Sequence, residues 1–164
     1  MNAPSSWLQR FAPAAPGTAL DLACGAGRNL RWLAERGWQT SGVDRDTTAT
    51  APLREHAEII DADIEHDPWP LSGRAFDLVL VCNYLWRPLF EPVKACVRPG
   101  GWLLWETFAD GQQAIGRPAR PDFLLQRGEL LRVCAEWRIV AYEDLFEDGV
   151  NPRCVQRIAA IRPA

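Results

Sequence analysis

The sequence predicts an α/β protein: a Rossmann-like, doubly wound and mostly parallel sheet of about seven strands, with an antiparallel C-terminal strand pair. Three observations carry that expectation. Short apolar runs of strand length alternate with segments of helical period along most of the chain, the pattern of a parallel sheet covered by helices. The last two extended runs are joined by the turn Glu147–Pro152 with no helix between them, so they should pair antiparallel. The length of 164 residues, 48% of them apolar, suits one domain with a core that needs no disulfide or metal, and residues 1–164 are expected to form it.

Thr18–Cys24 reads as the first strand because its apolar run is nearly unbroken. Gly25, Ala26 and Gly27 then turn the chain. Arg28–Arg36 follows as a helix, with Leu30, Leu33 and Ala34 at helical spacing and Gly37 placed to end it. Trp38–Val43 is a second strand ending at Asp44. Residues 48–57 form a weak helix around Pro52, and Glu58–Asp61 a short third strand. Phe76–Cys82 is the clearest strand, apolar and β-branched as one covered on both faces should be. A helix over 88–97 runs into Arg98-Pro99-Gly100-Gly101, a stop signal before the strand Trp102–Glu106. The polar stretch 109–121 carries no element. A helix near 127–135 and strands near 137–145 and 153–161 complete the pattern.

Composition narrows the function classes. The 18 basic and 21 acidic side chains leave a net charge of −3, and all the basic ones except Lys94 are arginines. The electrostatic footprint of a nucleic-acid binder is absent, so no nucleic-acid partner is expected. Five cysteines without a C-x-x-C pair and only two histidines, His56 and His66, argue against a metal or disulfide framework. No apolar run reaches the roughly 20 residues that cross a bilayer. The stretch Met1–Ser6 lacks the charged and apolar regions of a signal peptide, which predicts a cytoplasmic protein with no membrane partner.

Ligands of open parallel sheets bind outside the carboxyl ends of the strands, so the residues found there are a functional test. The first strand ends at Cys24-Gly25-Ala26-Gly27, the second at Asp44, the third at Asp61 and Asp63, the fourth at Asn83 and Tyr84, and the fifth at Glu106 and Thr107. Each alone is ordinary loop chemistry; all five at one edge point to a site. Gly25 and Gly27 let the backbone approach a ligand at a helix N-terminus, where a β-branched residue would collide with the ligand or with the turn itself. Leu30 stands where a nicotinamide fingerprint requires a small residue. Asp21, inside the buried first strand, reads as a clamp on the glycine turn, since a buried carboxylate needs hydrogen bonds.

Leu20–Gly27 with Asp44 resembles the first motifs of the class I S-adenosylmethionine-dependent methyltransferases: Asp21, Ala23, Gly25 and Gly27 match the family's acidic–x–small–x–Gly–x–Gly pattern. Asp63-Ile64 resembles the adenine-contact motif. Pro68–Leu71 leading into Phe76–Val79 resembles the approach to the fourth strand, and Arg98–Gly101 the turn before the fifth. Gly25–Asn29, Phe123–Leu130 and Tyr142–Asp144 look most like the small tellurite-resistance-type methyltransferases. Asn83-Tyr84-Leu85-Trp86 lacks the Asn-Pro-Pro-aromatic signature of amino-group DNA methyltransferases.

The resemblance implies a methyltransferase that uses S-adenosylmethionine, acts on a small-molecule acceptor, and is a monomer or weak homodimer. It implies that Asp44 takes the ribose hydroxyls and Asp63 the adenine amino group. Ile64, Ala23, Gly25, Gly27, Asp21 and Asn83 would complete the donor site, with Arg28 or Arg10 as partner of the methionyl carboxylate. Methyl transfer is an in-line displacement that rests mainly on positioning and demands no metal. Glu106 and Tyr84 are the candidate catalytic residues, Glu106 being the first candidate base and His66 the second. Tyr84, Trp86 and Trp105 are candidate aromatic walls, while Trp102 and Trp105 differ in parity and should face opposite sides of the sheet. Residues 108–123 are read as a lid, with Arg117 and Arg120 able to meet an anionic acceptor. The competing readings are a non-catalytic S-adenosylmethionine-binding module and a nicotinamide-dependent oxidoreductase.

Overall fold

The structure is a computed structural model and describes residues 3–164, so Met1 and Asn2 of the stretch weighed against a signal peptide lie outside the described residues. Seven strands, β1 (Thr18–Leu22), β2 (Gln39–Asp44), β3 (Ala57–Asp61), β4 (Phe76–Cys82), β5 (Val97–Phe108), β6 (Arg138–Glu147) and β7 (Arg153–Ile161), form one sheet in the order β3-β2-β1-β4-β5-β7-β6. The pairs among β1 to β5 are parallel, and β7 runs antiparallel to both β5 and β6. Strand order reverses at β1 and β4, which puts the binding crevice of such a sheet beside their carboxyl ends.

The α-helices are α1 (Ser6–Phe11), α2 (Arg28–Ala34), α3 (Phe90–Ala95) and α4 (Glu129–Val133), and the last three are shorter than their sequence periods predict. The expected helix over 48–57 shrinks to a 3-10 turn, Ala51–Leu53, with Pro52 inside it. The segment 88–97 opens with a second 3-10 turn, Arg87–Leu89, because Pro88 and Pro92 each remove a backbone donor. β5 begins at Val97 rather than Trp102. Val97 pairs with Phe76 before the register shifts to Leu78 opposite Trp102, and Gly100 and Gly101 exchange backbone hydrogen bonds with Arg162.

Helix α1 has no counterpart in the sequence reading. Ser5 caps it, its hydroxyl accepting the Leu8 N–H at 3.2 Å, and Trp7 donates its indole N–H to the Ile158 carbonyl at 3.0 Å. Six residues cannot hold a helix in isolation. Trp7 and Leu8 are buried, and burial of about 2 kcal/mol per side chain holds this one in place.

Alternation along the strands divides the core between the two faces of the sheet. Leu20, Leu22, Val79, Val81, Leu103 and Trp105 pack on one side with Val93 of α3 and Leu130 of α4. Ala19, Leu78, Leu80 and Leu104 pack on the other with Trp7 and Leu8 of α1 and Leu33 of α2, and Trp102 lies against this second cluster. Trp102 and Trp105 thus occupy opposite faces, as their parity requires. Among the described residues, no helix is long and apolar enough to cross a membrane.

Candidate active site

A cavity of about 570 Å³ opens at the carboxyl edge of the sheet. Its floor and one wall come from Ala23 after β1, Asp44 and Arg45 at the end of β2, and Ala62, Asp63 and Ile64 after β3. Asn83, Tyr84 and Leu85 after β4 form the centre. Glu65, with Thr107 and Phe108 of β5 and Pro118 and Phe123 of the following segment, completes the far side.

Asp44 ties the first two strand ends together. Its Oδ2 accepts the Gly25 N–H at 2.7 Å and its Oδ1 the Asp46 N–H at 3.0 Å, yet the side chain still borders the cavity. Gly25 has φ +53, and a Cβ built there meets nothing within 4 Å, so the space before the glycine turn is open. Gly27 differs. It caps α2 at φ +75, and a Cβ there would lie 2.5 Å from Leu53 Cδ1 and 3.0 Å from Thr50 Cγ2. Packing against the chain's own side chains demands this glycine, and the open part of the turn lies instead at Gly25 and at Ala23, whose φ is 55.

The clamp expected from Asp21 is not made. The Gly25 N–H goes to Asp44, the Gly27 N–H to the Cys24 carbonyl and the Cys24 N–H to the Val43 carbonyl. Asp21 is 1% exposed, and neither carboxylate oxygen has a hydrogen-bond partner among the described residues. Burial pushes its carboxyl up to about 7; Arg28 and the neighbouring Asn29 side chain oppose the shift, and Asp44 adds to it. A buried carboxylate left unpaired is costly, and it fits a site completed by a ligand's donor group.

Asp63 lines the cavity with both oxygens engaged, Oδ1 accepting the Glu65 N–H at 3.0 Å and Oδ2 meeting His66 Nδ1 at 3.0 Å. Those two contacts hold its carboxyl below the usual range. His66 is thereby an exposed partner of Asp63, and it does not border the cavity. Asn83 turns at φ 54 and donates its N–H to the Glu106 carbonyl at 2.9 Å. Tyr84 donates its phenol to Glu65 Oε1 at 3.1 Å, and burial together with that carboxylate raises its pKa, so it keeps its proton. Trp105 is fully buried and donates its indole N–H to the Tyr84 carbonyl, while Trp86 packs against the core. Of the three expected aromatic walls, Tyr84 alone borders the cavity.

Glu106 faces away from the cavity, against its expected role as a base. Its parity is that of Leu104 and Trp102, which places it under α1. There Ser5 donates a short hydrogen bond to Oε1, Cys82 Sγ lies 3.0 Å from the same oxygen, and Arg157 Nε pairs with Oε2 at 2.9 Å. Arg157 also pairs with Glu143 and Glu147. Burial works to raise the Glu106 pKa, but the hydrogen bonds from Cys82, Ser5 and Arg157 outweigh it and hold the carboxyl low. Arg28 donates to the Ala3 carbonyl at 2.9 Å and Arg10 pairs with Glu143 at 3.6 Å; neither borders the cavity.

The segment read as a lid is fastened at several points. Ala109 bridges Leu125, and the buried Gln112 accepts the Cys154 N–H at 2.9 Å and donates to the Arg117 carbonyl at 3.2 Å. Arg87 pairs with Glu129 at 2.7 Å and donates to the carbonyls of Asp122 at 3.0 Å and Leu124 at 2.8 Å, which sets Phe123 in the cavity wall. Arg120 turns outward to Asp122 at 2.9 Å, and neither it nor Arg117 borders the cavity. The sequence reading missed Arg45 and Glu65 as lining groups, and it placed Phe108 and Phe123 at the ends of the expected lid without singling them out as lining side chains. Glu65 was within reach, two residues past the motif acid Asp63; Phe123 carried no local signal.

A β3-β2-β1-β4-β5-β7-β6 sheet with an open glycine turn and Asp44 at its switch point is the fold of the class I S-adenosylmethionine-dependent methyltransferases. The chain belongs to the methyltransferase domain family, which it matches over residues 19–101. It is 30% identical over 107 residues to the ribosomal RNA small subunit methyltransferase C of Alcanivorax borkumensis, covering 55% of this chain and 31% of that protein. Against the ubiquinone biosynthesis O-methyltransferase of Albidiferax ferrireducens it is 28% identical over 114 residues, covering 62% and 45%. The chain therefore spans less than half the length of either relative. Its fold is also that of TehB from Haemophilus influenzae, with a TM-score of 0.75 at 19% identity over 90% of this chain and 58% of that one.

Proposed function

We propose that the protein transfers a methyl group from S-adenosylmethionine to a small-molecule acceptor, as one cytoplasmic domain that is a monomer or weak homodimer. The observation that carries this reading is the unpaired Asp21 carboxylate beneath an open turn whose Gly25 N–H is held by Asp44. The residues present fit the donor. Asp44 accepts from the ribose hydroxyls with the lone pairs that Gly25 and Asp46 leave free, and Asp63 accepts from the adenine amino group beside the apolar Ile64. Ala23, Gly25 and Asn83 present backbone to the amino-acid end, Gly27 and Arg28 shape the turn, and Asp21 answers the ammonium charge.

When bound, the donor supplies a sulfonium methyl carbon open to in-line attack. The chain's own work is to bind and orient the two reactants and exclude water, and such positioning accounts for much of the barrier reduction. Tyr84 keeps its proton and serves as wall and hydrogen-bond donor. Glu106, paired with Arg157, belongs to the scaffold beneath. The cavity volume suits a small acceptor, and the net charge of −3 does not favour a nucleic acid. Calorimetric titration with S-adenosylhomocysteine tests the donor site. Labelled methyl donor, offered with a panel of small acceptors and with ribosomal RNA, tests the acceptor: label in small molecules is expected, and label in RNA alone would reject the small-molecule reading.

A further inference from the structure

The cavity beyond the proposed donor contacts is lined by aromatic side chains and an acid: Tyr84 borders it at the centre, and Phe108, Phe123 and Glu65 on the far side. Asp44 and Asp63 on the donor side add two carboxylates, against the single guanidinium of Arg45. Carboxylates are the only bases among the lining residues, and with an ordinary pKa of about 4 a carboxylate is a weak base toward a phenol or thiol. The arginines nearest the segment, Arg117 and Arg120, lie outside the cavity, and Arg120 is taken by Asp122. We infer that the acceptor is an uncharged nitrogen, an amine or a ring nitrogen on a flat aromatic body, seated among Tyr84, Phe108 and Phe123 with Glu65 beside the reacting atom. This rests on the methyltransferase reading proposed above.

The charge balance of the reaction favours nitrogen. A neutral nitrogen attacks with a lone pair it already has, and no proton must leave first. Its lone pair forms the new N–C bond while the electron pair of the broken C–S bond returns to sulfur, so the positive charge passes from sulfur to nitrogen and stays inside the cavity. Where the nitrogen carries a hydrogen, its proton then leaves to solvent. Carboxylates and aromatic faces stabilise that charge on both sides of the transfer. An oxyanion acceptor would annihilate the charge, and the stabilisation given to the sulfonium would be lost on the way to product. The same carboxylates would repel an oxyanion on approach. Glu65 is the specificity residue of this arrangement: Tyr84 holds one of its oxygens at 3.1 Å, which aims the carboxylate along the aromatic wall.

Three probes of nearly one shape and different charge test the inference: N-methylquinolinium, quinoline and naphthoate, titrated calorimetrically into protein saturated with S-adenosylhomocysteine. The cation is expected to bind at least as tightly as quinoline, and naphthoate about tenfold or more weaker. Glu65→Gln should erase the preference for the cation while leaving S-adenosylhomocysteine affinity unchanged, and Phe123→Ala should weaken all three probes. Naphthoate binding as tightly as the cation, a Glu65→Gln protein with the wild-type ranking, or no binding of any probe would overturn the acceptor class. A protein that fails to bind S-adenosylhomocysteine in the first step would instead strike down the donor reading on which the inference rests.

Discussion

Ser5 and Glu106 are 101 positions apart in the chain and share a short hydrogen bond, hydroxyl to carboxylate, between the cap of α1 and the end of β5. The Ser5 hydroxyl also accepts the Leu8 N–H, and its backbone N–H reaches the Asn29 side chain at 2.9 Å, so one residue joins α1, α2 and β5. The carboxylate beside the cavity's edge is therefore structural. Glu106→Ala should lower stability by about 3 kcal/mol, the low end for a broken buried pair, because Arg157 keeps Glu143 and Glu147. Since the folded Glu106 pKa lies below its ordinary 4.5, its contribution is present above that value and lost as pH falls through the folded one. Urea denaturation between pH 3 and 7 checks both. Glu106→Gln, if folded, should keep the pH–rate profile of methyl transfer.

Asp44→Ala should weaken S-adenosylhomocysteine binding about ten- to a hundredfold, the range for one charge-assisted hydrogen bond. The Gly25 turn loses its anchor at the same time. Calorimetry showing wild-type affinity in a folded variant would remove Asp44 from the ribose role.

Asp21 makes the unliganded protein sensitive to pH in the opposite sense to Glu106. Its folded carboxyl is raised from 3.8 to about 7, so the folded state holds the proton longer and stability falls as pH rises through that window. A donor ammonium beside it favours the ionised form, and donor affinity should rise as pH passes from 6 to 8. Asp21→Asn should flatten that rise and raise the Tm of the unliganded protein at pH 8. Calorimetric and thermal titrations at both ends of the range measure it.

Gly27→Val should act on the fold before it acts on binding. The side chain would strike Leu53 and Thr50 and sit at φ +75, a combined penalty of about 3 kcal/mol or more, read from chemical denaturation. Gly25→Ala, with open space around its Cβ and φ +53, should cost only about 1 kcal/mol.

Arg87→Ala should free the segment that carries Phe123 and leave Glu129 with only the Gln126 N–H, at about 2 kcal/mol of stability for a half-buried pair. The Michaelis constant for the acceptor should rise while S-adenosylhomocysteine affinity holds, because the proposed donor contacts lie at the ends of β1 to β4, on residues that Arg87 does not touch. Steady-state kinetics with an identified acceptor separate the two effects. Replacing the whole of 110–119 would be a poorer experiment, since it deletes Gln112 and its bond to Cys154.

The strands were legible because their apolar runs are long and their ends polar; β4 coincides residue for residue with the run that marked it. The acids at the ends of the second and third strands, Asp44 and then Asp61 and Asp63, were legible for the same reason, as each follows a strand whose end periodicity defines. Helix α1 was missed because six residues give too little periodicity, although Ser5 before Trp7, Leu8 and Phe11 is a cap followed by an apolar face. Glu106 was misread because its position along β5 is visible in sequence, but the face it takes depends on which side the cavity opens. Thr107, of opposite parity, borders the cavity instead. Phe123 and Arg87 lie 36 residues apart and meet only through backbone carbonyls, a relation that side-chain patterning does not encode.

The two described ends of the chain leave the sheet at opposite edges. Ala3 lies against Arg28 and Ser5 against Asn29, at the edge where α2 begins, whereas β7, running antiparallel to β5, ends at Ile161 opposite Trp102, where β5 begins its pairing with Leu78. A bulky group attached ahead of Ala3 would therefore crowd the carboxyl edge, where the cavity opens, and compete with the contacts that seat α1, whereas one attached beyond β7 would meet the sheet at the opposite edge.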